Sequence, residues 1–267
     1  MGRTKITPHD QRYEEAHEYM DLMYSLWEGS WEDGAQIWDP EVGAYDPKKI
    51  HKITFEGKYH STSAYQQTHP GPQRTPVLFQ AGSSKAGKEF GAKHAEALFI
   101  GGRKPEGVAP FIKEMRAAAA AEGRDPSELK FFPMITPIIG KTVEEAQAKR
   151  KELEKYVDYR GGLVKVSTFL NTDLSKYPLD EPFDLDGIEG QIRTMVEAVK
   201  AVSGESSMTP RQLGAEFAFC GFGDMPTGTP EMIADRIEEW ANIGDVDGFN
   251  LACEFCLCVD KISFADT

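Results

Sequence analysis

One stretch, Thr75–Gly101, constrains the fold of this chain more than any other part of its sequence. It contains Val77-Leu78-Phe79, an apolar run without polar alternation, which predicts a strand buried on both faces of a parallel sheet. A helix is predicted over Lys85–Ala95, and a second strand over Ala97–Ile100. A strand, a turn, a helix and a further strand in this order form the unit from which parallel α/β folds are built.

The turn Gln80–Ser84, between the first strand and the helix, is the first candidate site. Gly82 can adopt backbone conformations that are closed to other residues, and Ser83 is a suitable N-cap. Free backbone N–H groups and the positive end of the helix dipole meet at such a turn, and they bind anions, most often phosphate. Every strand-helix unit has a turn here, however, so its spacing alone leaves an ordinary connection open.

The rest of the chain repeats the alternation of strands and helices. Apolar runs around Val77, Leu98, Phe131 and Phe249 mark four strands with helices between them, which predicts a parallel α/β layout. Before the last strand, Tyr159–Phe183 contains a glycine pair, prolines and aspartates, which predict a long irregular insertion. Long insertions in compact domains often serve as lids over a functional site.

Local signals place the remaining elements. The other predicted helices are Thr7–Trp27, Val108–Ala121, Val143–Val157 capped by Thr142, Ile188–Val202, and two that begin at Thr209-Pro210 and Thr229-Pro230. Outside them, a loop is predicted over Gly29–Lys49, a hairpin over Ile53–Tyr59, a connector over Ser61–Arg74, and strands over Lys130–Ile139 and Val246–Leu251.

Four stretches of the sequence resemble one protein family. Pro76–Ser84 resembles a PVxxQAGxS motif, and three further stretches agree in order: His9–Tyr13 with Leu26–Trp31, Gly228-Thr229-Pro230 before Ala234-Asp235-Arg236, and Asp247–Leu251. The family is that of the bacterial-luciferase-like flavin monooxygenases, in the branch of nitrilotriacetate monooxygenase and dibenzothiophene sulfone monooxygenase. Each motif is weak alone, but together they make the resemblance specific over most of the chain.

The resemblance implies an α/β fold of the luciferase-like TIM-barrel type. The four predicted strands match about strands five to eight, so an incomplete barrel is expected. It implies a single domain over residues 1–267, with 159–183 as an inserted lid-like segment and 253–267 as an atypical tail. The first and last strands of an incomplete barrel are unpaired edges, so we expect an exposed apolar surface and a homo-oligomer.

The resemblance also implies the site. In the family, a His-x-x-x-Tyr pair and the serine after QAG contact FMN, which assigns cofactor binding to His9, Tyr13 and Ser83, with Ser84 through its backbone N–H. The implied enzyme is a two-component monooxygenase. It takes FMNH2 from a separate NAD(P)H:flavin reductase and uses O2 to oxidise a small organic substrate. No residue of this chain is assigned a catalytic role.

Composition limits the partners and the compartment. The chain has 30 Lys and Arg against 43 Asp and Glu, and its net charge of −13 argues against a nucleic-acid partner. No apolar run reaches the ~20 residues of a membrane helix and no signal peptide is visible, which predicts a cytoplasmic protein. Cys253, Cys256 and Cys258 lie close together, but a structural zinc site needs four suitably spaced ligands, so no metal is predicted.

Two other functions stay open on the sequence. The chain can be a non-catalytic half-barrel that serves as an interaction module without flavin activity. It can also be an α/β protein that binds a phosphosugar or a nucleotide for different chemistry. Binding of FMN but not of riboflavin, which lacks the phosphate, would favour the monooxygenase over a protein that binds flavins unspecifically.

Overall fold

The computed structural model describes residues 7–170, 172–182, 208–219, 221 and 223–252. The helix predicted over Ile188–Val202 and the tail 253–267 lie outside these ranges. The helices are α1 His9–Gly29, α2 Lys85–His94, α3 Pro105–Ala121, α4 Val143–Glu154, α5 Tyr159–Leu170, α6 Pro210–Phe219 and α7 Pro230–Gly244. The strands are β1 Gln36–Asp39, β2 Gly43–Tyr45, β3 Ile53–Glu56, β4 Ser61–Ala64, β5 Phe79–Gln80, β6 Ala97–Ile100, β7 Lys130–Ile135, β8 Ile138–Ile139, β9 Thr227–Gly228 and β10 Asn250–Leu251. No helix in the described ranges is long and apolar enough to cross a membrane.

A four-stranded parallel sheet organises the chain. Its strands lie in the order β5-β6-β7-β10, and every neighbouring pair is parallel. The predicted set of four parallel strands is therefore confirmed, and β5 and β10 are its outer strands among the described residues. A short parallel pair of β8 with β9 lies beyond the end of β7, where Ile135 also forms a bridge with Asp224.

Helices cover one face of this sheet. Leu98 of β6 and Phe131 of β7 are fully buried on that face, together with Ile112 of α3 and Trp240 of α7. Burial of a large apolar side chain stabilises a fold by about 1.5–3 kcal/mol. This layer is therefore the main source of stability among the described residues, and it fixes the position of α2 and α3 on the sheet.

The opposite face of the sheet is open. Phe79 is 52% exposed and Phe99 is 41% exposed. Their rings stack with 5.1 Å between centroids, and the ring centroid of Phe132 lies 6.0 Å from that of Phe79. The prediction of a strand buried on both faces is therefore wrong for Val77-Leu78-Phe79, because β5 contains only Phe79-Gln80 and Val77 is half exposed. The side chains of this apolar run are directed to both faces of the sheet, and the described residues cover only one of these faces.

The prediction of an irregular segment over Tyr159–Phe183 is wrong for its first half, whereas the described residues 172–182 are irregular apart from the short turn Leu174–Lys176. That first half is the helix α5, which packs closely against α6. A Cβ added at Gly162 would collide with the backbone of α6 at Gly214, so the glycine that suggested irregular chain allows two helices to approach each other instead. The prediction failed because glycine that breaks a helix and glycine that permits close packing look alike in a sequence.

Several predicted boundaries also shift. Lys130–Ile139 is predicted as one strand but divides into β7 and β8 at Pro137, which has no N–H group to donate to a sheet. The predicted hairpin exists, but its turn is Gly57–His60, so its second strand β4 lies within Ser61–Arg74, which was predicted to be a connector. A second short hairpin, β1 with β2, lies in the predicted loop Gly29–Lys49.

Candidate functional site at the start of helix α2

Ser84, not Ser83, caps helix α2. The Oγ of Ser84 accepts a hydrogen bond from the backbone N–H of Gly87 at 3.1 Å. A cap bonds the third residue of its helix, and the helix begins at Lys85, so the cap predicted at Ser83 is wrong by one residue. In the described part of the chain, the Ser83 hydroxyl makes no hydrogen bond of its own.

Two glycines keep space open beside this cap. A Cβ added at Gly87 would lie 2.8 Å from the hydroxyl oxygen of Tyr13 and 3.1 Å from Oγ of Ser84. A Cβ at Gly82 would lie 3.1 Å from the same hydroxyl and would collide with the Gln80 amide. Gly82 does not have a positive φ, so it is needed for this close approach and not, as predicted, for its backbone conformation.

Helix α1 brings Tyr13 to this space. The Tyr13 ring packs on Phe90 of α2, with 5.9 Å between the ring centroids. The ring of His9 lies 5.2 Å from that of Tyr13, and its Nδ1 lies 2.8 Å from a carboxylate oxygen of Asp10. The structure therefore brings Tyr13 and Ser84 together, and it places His9 beside Tyr13 at the outer end of α1.

Gln80 belongs to the site, and sequence reasoning missed it. Its Oε1 is buried and has no hydrogen-bond partner among the described residues. Gln80 pairs with Leu98, which lies on the helix-covered face, so its side chain is directed beneath α2, where a Cβ at Gly91 would meet its Oε1 at 3.2 Å. The alternation of side chains along β5 could have indicated this, but the turn was interpreted only for its glycine and serines.

The charges around this turn favour an anion. The first turn of α2 contains no acidic side chain, so nothing within the helix offsets the positive end of its dipole. Lys85 is the first residue of the helix and is exposed, and Lys88 pairs with Glu114 at 2.6 Å. The first backbone N–H groups of a helix have no acceptor within it. The arrangement can therefore hold a phosphate with backbone and hydroxyl donors.

A separate cavity of about 680 Å³ lies beside α5. Tyr159, Leu163 and Ser167 of α5 form one wall, and Asp173 and Leu179 of the following segment contribute to the other. Its lining is a mixture of apolar and polar groups, as in pockets for small organic molecules. Within the ranges that the structure describes, no three His, Cys, Asp or Glu side chains converge as a metal site requires.

The sequence matches known proteins over most of its length. Residues 1–247 match the profile of a family described as luciferase-like monooxygenase. Dimethyl-sulfide monooxygenase of Hyphomicrobium sulfonivorans is 38% identical over 254 residues, which are 94% of this chain and 52% of the relative. Component A of nitrilotriacetate monooxygenase from Aminobacter aminovorans is 31% identical over 255 residues, 94% of this chain and 56% of the relative.

A solved structure extends the similarity to three dimensions. Riboflavin lyase, crystallised with modified FMN and its substrate riboflavin, matches with a TM-score of 0.79 at 35% sequence identity. The match covers 94% of this chain and 55% of that chain. In every one of these comparisons, the chain spans about half the length of the protein that it matches.

Proposed function

The chain belongs to the luciferase-like monooxygenase family, as its motifs predicted, and from this we propose that it binds FMN at the start of α2 and acts in an FMNH2-dependent, two-component monooxygenase. Its parallel α/β structure is of the TIM-barrel type of that family. The substrate that we propose is a small organic molecule, which is oxidised with O2. The relatives named above are monooxygenases and support this class of reaction.

The observation that carries the proposal is the space beside the α2 cap. Gly82 and Gly87 leave room where any Cβ would press on the Tyr13 hydroxyl, and the helix start offers unpaired N–H groups. A phosphate bound there would accept hydrogen bonds from the backbone, from Ser83 and from Tyr13. Reduced FMN would supply the reaction with O2, and the residues of this chain would hold its phosphate and fix its position.

We further propose that the four-stranded sheet corresponds to strands five to eight of a barrel. The open face with Phe79 and Phe99, and the unpaired edges β5 and β10, support this assignment because closed barrels have no edges. Other βα units would then cover this face, either in a longer chain or in a second copy, as a homo-oligomer. Light scattering and binding of an apolar dye measure the remaining exposed surface. A strictly monomeric chain that binds no dye would contradict the assignment.

The α5 cavity is the proposed place for the organic substrate, and 159–183 the proposed lid. Arg211 of α6 binds the Asp180 carboxylate through two nitrogens, at 2.6 and 3.0 Å, and lies over the Tyr159 ring. These contacts give the segment one defined resting position, from which it can open. Limited proteolysis should cut 159–183 before the sheet, and reduced FMN should slow that cut. Equal protection of the segment and the strands would exclude a lid.

A flavin reductase is the proposed partner. The name of one relative, component A of nitrilotriacetate monooxygenase, indicates a protein that works with a second component, and this supports a separate source of FMNH2. The alternative of a half-barrel without flavin activity predicts no saturable flavin binding. The cytoplasm remains the proposed compartment on sequence grounds.

Titration of the whole chain with FMN and with riboflavin tests the proposal. We expect saturable quenching of FMN fluorescence and at least tenfold weaker binding of riboflavin, because only FMN carries the phosphate that the α2 start would hold. Tyr13→Phe should bring the two affinities closer together. Equal affinities for FMN and riboflavin in the unchanged chain would contradict a phosphate site at the start of α2. If neither flavin binds, the non-catalytic alternative is favoured.

A further inference from the structure

A row of five aromatic rings joins α1 to α2 and leads away from the proposed FMN site. It begins at Tyr13 and continues through Phe90, His17, His94 and Tyr24, with successive centroids 5.9, 5.0, 4.9 and 5.8 Å apart. The rings alternate between the two helices, so each ring of α2 lies between two rings of α1. A change in the middle of this row therefore alters the packing of Tyr13 at its end.

The middle of the row is a pair of histidines in direct contact. Nδ1 of His17 lies 2.7 Å from Nε2 of His94, and the Tyr24 hydroxyl lies 3.0 Å from Nδ1 of His94. His94 is buried, with 6% of its surface exposed. At 2.7 Å the two facing nitrogens form one hydrogen bond, so one of them carries a proton and the other accepts it.

Counting protons shows how much charge this contact tolerates. The neutral pair has two ring protons, one of them between the rings. A first added proton goes to an outward nitrogen, and His94 can then donate from Nδ1 to the Tyr24 oxygen while the contact persists. A second added proton must go to a facing nitrogen, so two N–H groups and two positive charges would face each other. The contact cannot survive that step.

We propose that His17 and His94 form a clamp that holds α1 on α2 with at most one added proton, and that a second proton opens the clamp and releases Tyr13 from the start of α2. The opening itself is a property of the two helices. Only its effect on FMN rests on the function proposed above.

The surroundings of the pair oppose protonation of His94. Burial lowers the pKa of His94 to about 4, and the neighbouring His17 and Lys93 add to this. Burial also lowers the pKa of His17. Charged groups face the pair from every adjoining element: Asp21 on α1, Glu89 and Lys93 on α2, and Glu122 and Arg124 after α3. The acids oppose the lowering but do not cancel it.

The direction of the pH dependence follows from these values. The pKa of His94 is lower in the folded chain than its ordinary value of 6.5, so below pH 6.5 the unfolded chain takes up the proton first. The stability linked to His94 is complete above about pH 6.5 and falls until about pH 4. From pH 7 to pH 5, the unfolding equilibrium constant should rise roughly twentyfold through this residue.

A double-mutant cycle tests the clamp without any flavin. Urea unfolding of the whole chain is compared for the unchanged protein, His17→Gln, His94→Gln and the double variant, at pH 7 and pH 3.5. At pH 7 we expect the two sites to be coupled by about three- to tenfold in the unfolding constant, as for one hydrogen bond. At pH 3.5, below the pKa of about 4 for His94, the coupling should be lost. His69→Gln is the matched control, since His69 is exposed and its ring contacts that of Trp38, away from α2. Equal coupling at both pH values, or none at pH 7, would overturn the clamp.

Histidine NMR of the unchanged chain gives a second measurement if a variant does not fold. The ring signals of His17 and His94 should titrate in two steps, the second near pH 4, where the ring contacts with Phe90 are lost. Independent titration of the two rings near pH 6.5 would refute the proposal. The FMN dissociation constant should also rise between pH 7 and pH 3.5, less so in His17→Gln. If the cycle succeeds and FMN does not bind, the clamp stands and the function proposed above fails.

Discussion

Helices α2 and α3 both have glycine as their third residue, and the two glycines face different surroundings. A Cβ at Gly107 of α3 would meet nothing within 4 Å, whereas a Cβ at Gly87 of α2 would press on the Tyr13 hydroxyl and on Ser84. The first turn of α3 includes Glu106, whose carboxylate offsets the helix dipole, and the first turn of α2 has no acid.

Helix α4 extends this comparison. It is capped by Thr142 as α2 is capped by Ser84, and its first turn contains Glu144 and Glu145. The dipoles of α3 and α4 are therefore offset by carboxylates in their own first turns. The start of α2 has no such carboxylate, and the Tyr13 hydroxyl lies close to it. The comparison teaches that a binding site at a helix start is recognised by what approaches it from elsewhere in the fold, since caps and glycines also occur where nothing binds.

The largest expected effect is that of Gly87→Ala. The added methyl group would press on the hydroxyls of Tyr13 and Ser84, so we expect FMN affinity to fall at least tenfold and stability to fall by about 1–3 kcal/mol. Gly107→Ala is the matched control. It should leave FMN binding unchanged and raise stability by about 0.5–1 kcal/mol, because alanine is the better helix former in open space. FMN titration and urea unfolding measure both. Full FMN affinity in Gly87→Ala would contradict the prediction that Gly87, unlike Gly107, is needed for FMN binding.

The next prediction distinguishes the loss of stability caused by removing a helix cap from the loss of FMN binding caused by removing the anion site. Ser84→Ala and Thr142→Ala each remove a cap to the third helical residue, so each should cost about 0.5–2 kcal/mol of stability. Only Ser84→Ala should also weaken FMN binding, by severalfold. Ser83→Ala should weaken FMN binding without the loss of a cap. If Thr142→Ala weakened FMN binding as much as Ser84→Ala, the effect would be one of general stability.

Tyr13→Phe should have a smaller effect, confined to binding. It removes one hydroxyl beside the α2 cap, so FMN affinity should fall by about 0.5–1.5 kcal/mol while the urea midpoint stays nearly constant. Tyr19→Phe is the control, because Tyr19 lies on the same helix with 47% of its surface exposed. A lower urea midpoint with unchanged FMN affinity would assign Tyr13 to packing alone.

The smallest effect is a pH dependence at the start of α4. Hydrogen bonds from Lys149, and then from the Lys141 backbone, hold the pKa of Glu145 below its usual value of 4.5. The stability from this carboxylate is therefore present above about pH 4.5 and is lost as the pH falls through its lower folded pKa. Glu145→Gln should flatten the fall of the urea midpoint in this range. A urea midpoint that falls equally in Glu145→Gln and in the unchanged protein over this range would contradict the prediction.

The sequence predicts those features that depend on neighbours along the chain. The order of strand, helix and strand over Thr75–Gly101, the caps at Thr142 and Thr229, and the four parallel strands are confirmed, because apolar runs and capping side chains act within a few residues. A cap at Ser83 fails because two adjacent serines are equally suitable and the first helical residue decides between them. Which of the two serines caps the helix depends on the backbone geometry at its start, and the amino-acid composition does not specify that geometry.

Features that depend on distant contacts could not be predicted. The approach of Tyr13 to Gly87 joins α1 to α2 across more than seventy residues, and the residues next to Gly87 in the sequence do not indicate it. The buried amide of Gln80 and the contact of His17 with His94 arise in the same way. Family resemblance supplied His9, Tyr13, Ser83 and Ser84 as a set, and the structure adds that Tyr13 and Ser84 meet beside the cap.

The order of strands in the sheet also has a consequence for how the chain folds. β5, β6 and β7 follow one another in sequence and pair with their immediate neighbours, whereas β10 pairs with β7 across more than a hundred residues. Closing so long a loop costs chain entropy before the new contacts form, and β10, in the part of the chain that the structure describes, is a strand of two residues. The layer from β5 to β7 should therefore assemble early and β10 last. In native-state hydrogen exchange, the amides of β10 should open first among the four strands.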